Sequence, residues 1–372
     1  MGSPKCQVCG SAMKKNGKTK AGTQRWRCKS CDASFVRKID NTAKLLRMFV
    51  RWLLGKPSQT ELDISARTFR ALTGDFWKIW PILPACDETH HVVYMDGIWL
   101  ARNKAVLLIA CTDEYVIGCH LAKSESSKDW ACLMQRIAPP DALVCDGGGG
   151  IEKARRTIWP RTRAQRCTFH AFEQVKRCTT ARPKLQAGVE LYGIAKDLLS
   201  VKSREEATLW LVSFSDWCAT WDDFLKERTI ADGKSRYKHE RLRKARRGLE
   251  KLCRAETLFT YLDEDLTKDG PVSAASNKIE SLNSQIRAVF RNHRGMNIDH
   301  RIKAGFWFCY MRSEAPSPFA QMLKEFPTDT QVMEWRRQAA KADQKEGDAA
   351  RWGQGVVWSE LHMRGSKATG WF

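Results

Sequence analysis

Blocks of apolar residues separated by short polar breaks dominate residues 92–122, and they predict three consecutive strands. Two runs rich in Val, Ile, Leu and Trp, residues 92–100 and 105–111, come first, and a third run at residues 116–122 follows a polar turn. Runs of this length and composition are typical of antiparallel strands. We expect this meander to form the centre of the fold.

Two aspartates interrupt the apolar pattern. Asp96 lies in the middle of the first predicted strand, and Asp146 ends a further short apolar run, residues 142–145. Burying a carboxylate is costly unless a cation or hydrogen bonds compensate. Each aspartate is followed directly by glycine, which leaves space for a ligand, so the pair indicates a metal site. The alternative for Asp96 alone is a carboxylate that caps a turn at Gly97.

A helix with a buried stripe and a charged face is predicted for residues 277–295. Glu280, Arg287 and Arg291 share the charged face at helical spacing. A glutamate above two arginines suits a metal ligand beside a bound phosphate. A surface Glu–Arg pair would be the alternative if the two aspartates were absent.

The region before the strands also has helical spacing. Apolar residues recur through residues 45–53, and a Gly-Lys-Pro-Ser break follows at residues 55–58. Short helices after such a turn fit a helix-turn-helix, whose recognition helix would be residues 65–72 with Arg67 and Arg70 on DNA. The alternative is a helical linker that packs on the core.

Residues 171–265 lack the alternation of strands and predict nearly pure helix. A cluster of bases favours phosphate contact over a merely solvated helix face; it comprises Arg241, Arg243, Lys244, Arg246 and Arg247. The same region holds three tryptophans, for which core packing is favoured over stacking on a DNA base: Trp210, Trp217 and Trp221.

Among the features of composition, the charge indicates a class of partner. The formal net charge is +21 over 372 residues, and such an excess of base attracts polyanions, of which nucleic acid is the commonest. The sequence shows no run of membrane-spanning length and no apolar core of a signal peptide. We therefore expect a protein of the bacterial cytoplasm, associated with the nucleoid and without a membrane partner.

Two CxxC pairs, CQVC and CKSC, lie within the first 31 residues and supply Cys6, Cys9, Cys28 and Cys31. Two such turns complete a tetrahedral zinc site, and a segment this short would depend on the metal to fold. A redox dithiol pair is the alternative. The other ten of the 14 cysteines are scattered singly and are expected to be buried thiols.

Four segments, YMDGIWL, VCDGGGGI, CTFH and SNKIESLNSQIRAVFRNHRG, resemble in order and spacing the bacterial insertion-sequence transposases of the Mutator-like superfamily. The resemblance covers roughly residues 92–311, and the zinc-ribbon N-terminus matches one branch of that family. It implies an RNase H-like catalytic core whose Asp, Asp, Glu (DDE) triad would be Asp96, Asp146 and Glu280. Cys167 and His170 match the family's CxxH motif and are expected to shape the site.

The expected fold class is therefore α/β, an RNase H-like core with an all-α insertion, preceded by a zinc ribbon and a helix-turn-helix. The expected segments are a zinc ribbon (1–36), a helix-turn-helix region (37–80), the first part of the core (88–170), the insertion (171–272), the closing helices (273–315) and a C-terminal tail (316–372). Residues 77–87, with two prolines, would form the boundary before the core.

The resemblance also implies the chemistry. The triad would hold two Mg²⁺ or Mn²⁺ ions, which activate the attacking oxygen and stabilise the leaving oxygen of a phosphodiester. The partners would be transposon-end and target DNA, bound by a homodimer or a higher oligomer. Two alternatives remain: an RNase H-like nuclease or resolvase without strand transfer, and a non-catalytic DNA-binding regulator built on the ribbon.

Overall fold

The computed structural model describes residues 3–36, 40–55, 61–231 and 233–346. Most of the predicted break at residues 55–58 and the last 26 residues of the predicted C-terminal tail, 347–372, lie outside these ranges. No helix in the described ranges is long and apolar enough to cross a membrane.

The N-terminal segment is a small antiparallel sheet. Its strands are β1 (Met13–Lys18), β2 (Gln24–Cys28) and β3 (Ser34–Val36), in the order β1-β2-β3. Met13 packs with Cys6 and Cys28, and Trp26 covers them from the side. This apolar cluster is too small to stabilise the segment alone, as the sequence indicates.

Two helices follow, α1 (Thr42–Leu54) and α2 (Ala66–Thr73), with a 3₁₀ turn at Gly74–Lys78. Ser65 caps α2, because its hydroxyl accepts from the backbone N–H of Thr68 at 3.1 Å. The helix therefore begins one residue after the start predicted for the recognition helix.

Both helices contribute to the main core rather than standing apart from it. Phe49 of α1 is fully buried and meets Trp77 edge to face, and Trp52 meets Phe69 of α2 in the same way. Trp80, in the stretch predicted to be a boundary, is also buried in this core. The two helices thus pack on the core, as the alternative of a helical linker requires. DNA contact by α2 stays a prediction.

A five-stranded mixed sheet forms the centre of the molecule. It contains β4 (Val92–Ala101), β5 (Ala105–Cys111), β6 (Val116–Ala122), β7 (Ala142–Cys145) and β8 (Arg163–Arg166). The order is β6-β5-β4-β7-β8; the first three strands are antiparallel, and β7 and β8 run parallel to β4. The three predicted strands and the mixed α/β class are confirmed.

Helices cover both faces of the sheet. Between the strands come α3 (Ser127–Met134) and α4 (Gly149–Ile158), which pack on the face of Val93 and Met95. Alternate residues of β4, such as Tyr94 and Ile98, point to the opposite face, as the two-residue period of a strand requires.

The segment after β8 has its own core. It contains α5 (Thr168–Thr179), α6 (Gln186–Asp197), α7 (Arg204–Thr220), α8 (Asp222–Lys226), α9 (Glu240–Arg254) and α10 (Glu264–Thr267). Trp210 and Trp217 are buried there and donate to backbone carbonyls, and half-buried Trp221 donates to Glu190. The prediction that these tryptophans serve core packing is confirmed.

The prediction of an all-helical insertion is wrong at one place. A hairpin of β9 (Arg228–Ala231) and β10 (Lys234–Tyr237) separates α8 from α9. Its strands are short, polar and largely exposed, so the sequence has no alternation of apolar and polar residues there that would predict strands. Tyr237 holds the hairpin to α9, since the Arg243 guanidinium lies 3.6 Å from its ring centroid.

The last four helices of the described residues are α11 (Asn277–Asn292), α12 (Ile298–Tyr310), α13 (Phe319–Glu325) and α14 (Asp329–Glu346). Ile279 and Ile286 of α11, together with nearly all of α12, pack on the sheet face of Tyr94. The chain thus returns to the central sheet after the insertion, which places Glu280 against β4.

Candidate active site

Parallel pairing of β4 and β7 brings the two aspartates side by side. Met95 pairs with Cys145, and Asp96 and Asp146 are the next residues on the two strands. Because strand side chains alternate, both aspartates belong to the sheet face that α11 and α12 cover. Carboxyl groups 50 positions apart in the sequence therefore share one edge of the covered face.

Helix α11 adds the third carboxylate. Asn283 is fully buried, and its side-chain amide donates to Asp96 Oδ2 at 2.7 Å, which fixes the helix against β4. Glu280 lies three residues earlier, nearly one turn away and on the same side of the helix. Sequence reasoning missed Asn283, although a lone amide among the apolar stripe positions Ile279 and Ile286 was a usable signal.

Burial and neighbouring carboxylates perturb Asp96 strongly. Burial is the largest cause, and the negative charges of Glu280, Asp146 and Glu125 add to it, so that the pKa of Asp96 rises to about 7. A hydrogen bond with the Gly97 backbone opposes the rise. Four carboxyl groups thus act on one another here, and a cation among them would relieve the repulsion.

Glu125 is the second residue that sequence reasoning missed. Burial and the charge of Asp146 raise its pKa. A Cβ on Gly97 would lie 2.5 Å from Glu125 Oε1, and one on Gly150 would lie 2.2 Å from the Glu125 carbonyl oxygen. Gly97 and Gly150, which follow Asp96 and Asp146, therefore make room for Glu125. No pattern in the sequence distinguished Glu125 from the other polar residues of its loop.

Cys167 and His170 support Glu280 from α5. His170 Nε2 lies 3.2 Å from Glu280 Oε1, and its Nδ1 lies 3.5 Å from the Ser276 hydroxyl. Hydrogen bonds with Cys167 and then with Glu280 raise the pKa of His170 to about 10, and the pKa of Glu280 is lowered chiefly by His170. The CxxH motif thus holds the glutamate in place.

The Cys167 thiol lies at the start of α5 and is almost fully buried. Burial tends to raise its pKa, but hydrogen bonds with His170 and Ser276 outweigh it and bring the pKa to about 7. The backbone N–H of Ser276 donates to the sulfur at 3.3 Å. Cys167 therefore ties α5 to the residue that precedes α11.

The carboxylate cluster has the hard oxygen donors that Mg²⁺ and Mn²⁺ prefer. The raised pKa of Asp96 fits a cation site, because a bound cation favours the ionised form that burial opposes. In the described ranges, however, only the N-terminal cysteines bring three or more possible ligand atoms within 4.8 Å of one another. The carboxylate oxygens therefore lie farther apart than the ligand atoms that surround a single bound ion.

The four N-terminal cysteines have the spacing of a zinc site. Cys6 and Cys31 sulfurs are 3.5 Å apart, and Cys9 and Cys28 sulfurs are 3.4 Å apart. Tetrahedral zinc with bonds of about 2.3 Å separates its sulfurs by about 3.8 Å. This cluster could hold one zinc ion with little adjustment.

The predicted DNA-contacting arginines fall into two groups. Exposed side chains are Arg67 and Arg70 on α2, Arg287 and Arg291 on α11, and Arg241 and Arg247 on α9. Of the last two, Arg241 donates to the Arg177 carbonyl at 2.6 Å and Arg247 pairs with Glu240 at 2.6 Å. By contrast, Arg246 is held between Asp222 and Glu250 at 2.8 and 2.7 Å, and Arg243 donates to the Leu225 carbonyl. Phosphate contact stays a prediction for the α9 cluster, where Arg241 and Arg247 are exposed but would have to exchange these partners for a phosphate.

No protein-family model matches the chain. It is 21% identical over 312 residues to a probable transposase for an insertion sequence element of Corynebacterium diphtheriae, with 77% of this chain and 72% of the relative covered. The chain is similar to insertion-sequence transposases. A second relative is the transposase for insertion sequence element IS406 of Burkholderia multivorans, 27% identical over 142 residues, which cover 36% of this chain and 35% of the relative.

We expect the cysteine cluster to bind one zinc ion per chain, and Cys28→Ser to abolish binding because it removes a buried ligand. Metal analysis of the full-length protein checks this. Cys178→Ser, a half-buried thiol outside the cluster, is the control and should retain the zinc. Equal zinc content in both variants would contradict the assignment.

We expect Asp96→Asn to stabilise the metal-free protein at high pH. The folded pKa of about 7 exceeds an unfolded value of about 3.9, so ionising Asp96 removes stability as the pH rises from about 4 to about 7. One pKa unit corresponds to about 1.4 kcal/mol. Since Asp96 keeps some solvent contact, the gain at pH 8 should be on the order of 1–3 kcal/mol, vanishing near pH 4.

Urea unfolding in the presence of a chelator, repeated across this pH range, measures the difference. Asp216→Asn, an exposed aspartate on α7, is the control and should show no pH-dependent gain. A gain for Asp96→Asn that is constant with pH would refute the electrostatic explanation.

Proposed function

We propose that this chain is a DNA transposase that binds the ends of an insertion sequence and catalyses metal-dependent strand cleavage and strand transfer. Asp96, Asp146 and Glu280 would be its catalytic carboxylates. The observation that carries the proposal is the convergence of these carboxylates from β4, β7 and α11 at a buried Asp96. Burial raises the pKa of Asp96 to about 7, and the charges of the other carboxylates add to the rise. Similarity to a probable transposase across 77% of the chain supports it.

The finer assignment is a DDE enzyme of the Mutator-like type with an RNase H-like core. The strand order β6-β5-β4-β7-β8, antiparallel through β4 and parallel beyond it, supports this core. So does the helical segment that is inserted between Asp146 and Glu280. The CTFH segment supports the Mutator-like type, because His170 of this segment contacts the third carboxylate.

Mg²⁺ or Mn²⁺ held by Asp96, Asp146 and Glu280 would supply activation of the attacking oxygen and stabilisation of the leaving oxygen. The chain's own residues keep these ligands oriented. Asn283 donates to one oxygen of Asp96, and His170 pairs with Glu280. Such supporting hydrogen bonds keep a ligand in one orientation and exclude competing ones.

DNA recognition would use surfaces away from the carboxylates. The zinc ribbon carries exposed lysines on β1, and α2 presents Arg67 and Arg70 to solvent. The net charge of +21 favours a polyanionic partner of considerable length. We propose that a homodimer or higher oligomer joins two transposon ends with the target DNA.

Replacing any triad residue should abolish cleavage and joining while DNA binding survives. Asp96→Asn, Asp146→Asn and Glu280→Gln each keep the side-chain size and remove the charge. The substrate is DNA containing the sequences that flank the gene in its element, incubated with Mg²⁺ and analysed for nicks and joined products. Loss of more than about a thousandfold in rate is expected, since each carboxylate would hold the metal ions that activate the attacking oxygen and stabilise the leaving oxygen.

Asp216→Asn again serves as the control and should remain active. Strand-transfer activity in a triad variant would remove that residue from the site. Nicks without joined products in the unaltered protein would favour the nuclease alternative, and binding without either product would favour the DNA-binding regulator.

We expect His170→Gln to lower the cleavage rate by about tenfold to a hundredfold, the usual effect of losing a residue that orients a ligand. Some stability should also be lost at pH 7, because hydrogen bonds with Cys167 and Glu280 raise the pKa of His170 in the folded protein and so favour its charged form there. His239 provides a matched control, since its Nε2 also lies 3.2 Å from a glutamate, Glu227, but outside the site. His239→Gln should leave the cleavage rate unchanged, and equal losses in both variants would argue against the positioning role.

A further inference from the structure

A cavity of about 340 Å³ adjoins the glycine loop that follows Asp146. It lies at the ends of β7 and β8, between α4 and the last turn of α9. Gly147 and Gly149 line one side, and Lys251, Leu252 and Ala255 line the other. The helical insertion and the central sheet therefore build this cavity together, within a few residues of the carboxylates.

The charge of the cavity is strongly positive. Lys153, Arg156, Arg166 and Lys251 line it, and Glu152 is its single acid. Glu152 is already neutralised, because its carboxylate pairs with Arg155 at 2.9 Å and with Arg156 at 2.7 Å. Within the ranges that the structure describes, the other three cations form no ion pair.

Arg166 is the best-positioned of these cations. Its backbone N–H donates to the Thr257 carbonyl at 2.7 Å, and β8 pairs it with Cys145. The side chain crosses the loop at Gly147, where a Cβ would lie 2.7 Å from both Cδ and Nη1 and where φ is +70°. Glycine is favoured at this positive φ, and its lack of a Cβ leaves space for the Arg166 side chain.

The Nε of Arg166 is buried and has no hydrogen-bond partner in the described structure. A buried donor without an acceptor is destabilising, so the arrangement suits an acceptor supplied by a ligand. Guanidinium groups match the paired oxygens of a phosphate. The α4 N-terminus, capped by Gly148 without a side-chain hydrogen bond, turns further amide dipoles toward an anion at the loop.

We infer that this cavity binds a backbone phosphate of the DNA strand next to the cleavage site, with Arg166, Lys153 and Lys251 as its ligands. The inference rests on the proposed function for the position of the cleavage site. A cavity of this volume holds a phosphate together with its sugar, and Leu252 and Ala255 give the sugar an apolar wall. Its place beside Asp146 makes it a guide for the strand that enters the carboxylate cluster.

The test measures binding rather than cleavage. Full-length protein is titrated, in the presence of a chelator, with a labelled mixed-sequence duplex that carries a single-stranded branch, over a series of NaCl concentrations. Lys153→Gln, Arg166→Gln and Lys251→Gln combined should lower the slope of log affinity against log salt by about two to three, roughly one for each lost phosphate contact.

A second triple variant is the matched control. Arg182→Gln, Lys184→Gln and Lys196→Gln remove the same charge from exposed positions of the insertion outside the cavity. A slope as low in the control as in the cavity variant would overturn the inference, because net charge alone would then explain the effect. An unchanged slope in the cavity variant would also overturn it.

Two further measurements separate folding and ligand source. If Arg166→Gln disturbs folding, the double variant of the exposed residues Lys153 and Lys251 should still lower the slope by about one to two, and no change would count against the site. Replacing NaCl by inorganic phosphate of equal ionic strength should displace DNA better from the unaltered protein than from the cavity variant, because free phosphate competes for the same three cations. Equal displacement would count against a phosphate site, and preferential displacement together with an unchanged salt slope in the cavity variant would identify a free-phosphate site instead.

This experiment and the cleavage experiment can fail separately. The chelator removes any need for the triad, so a reduced slope without DNA cleavage in any assay would leave the phosphate site standing and refute the transposase proposal. DNA cleavage and joining by the unaltered protein, together with an unchanged salt slope in the cavity variant, would support the transposase proposal and refute the phosphate site.

Discussion

Burial of Asp96 in the central sheet is the constraint on which the candidate site depends. A carboxylate in the middle of β4 loses solvation, and its pKa rises to about 7 under the added influence of three other carboxyl groups. The fold tolerates this because Asn283 and the Gly97 backbone supply hydrogen bonds. Apolar packing on both sheet faces fixes the strands, so the repulsion cannot be relaxed by moving them apart.

Support for the third carboxylate comes from a different part of the chain. Cys167 and His170 start the first helix of the insertion, and they connect it to Ser276 and Glu280 at the start of α11. The insertion thus leaves and re-enters the sheet region at one point, where its two ends are held together. The insertion has its own core, which includes Trp210 and Trp217, and α9 carries basic residues back to the loop after Asp146.

Acidic and basic surfaces consequently meet at one edge of the sheet. The carboxylates face α11, whereas Arg166, Lys153 and Lys251 surround the cavity on the far side of the glycine loop. This separation of charge suits a polyanion such as DNA. The basic side chains would attract its phosphates, while one phosphodiester would reach a cation held by the carboxylates. The glycines serve this arrangement by their lack of side chains, since Glu125 and Arg166 occupy the space that a Cβ would need.

The sequence by itself determined the strands, the cysteine cluster, the mixed fold class and the candidate carboxylates, because each is a local pattern of apolar period, ligand spacing or misplaced charge. Only the tertiary structure decided which side chains meet. Glu125 and Asn283 join the carboxylates, and Arg243 and Arg246 take internal partners, through contacts between residues far apart in the chain. The hairpin before α9 escaped prediction because its stability comes from pairing and from Tyr237, not from any period in its residues.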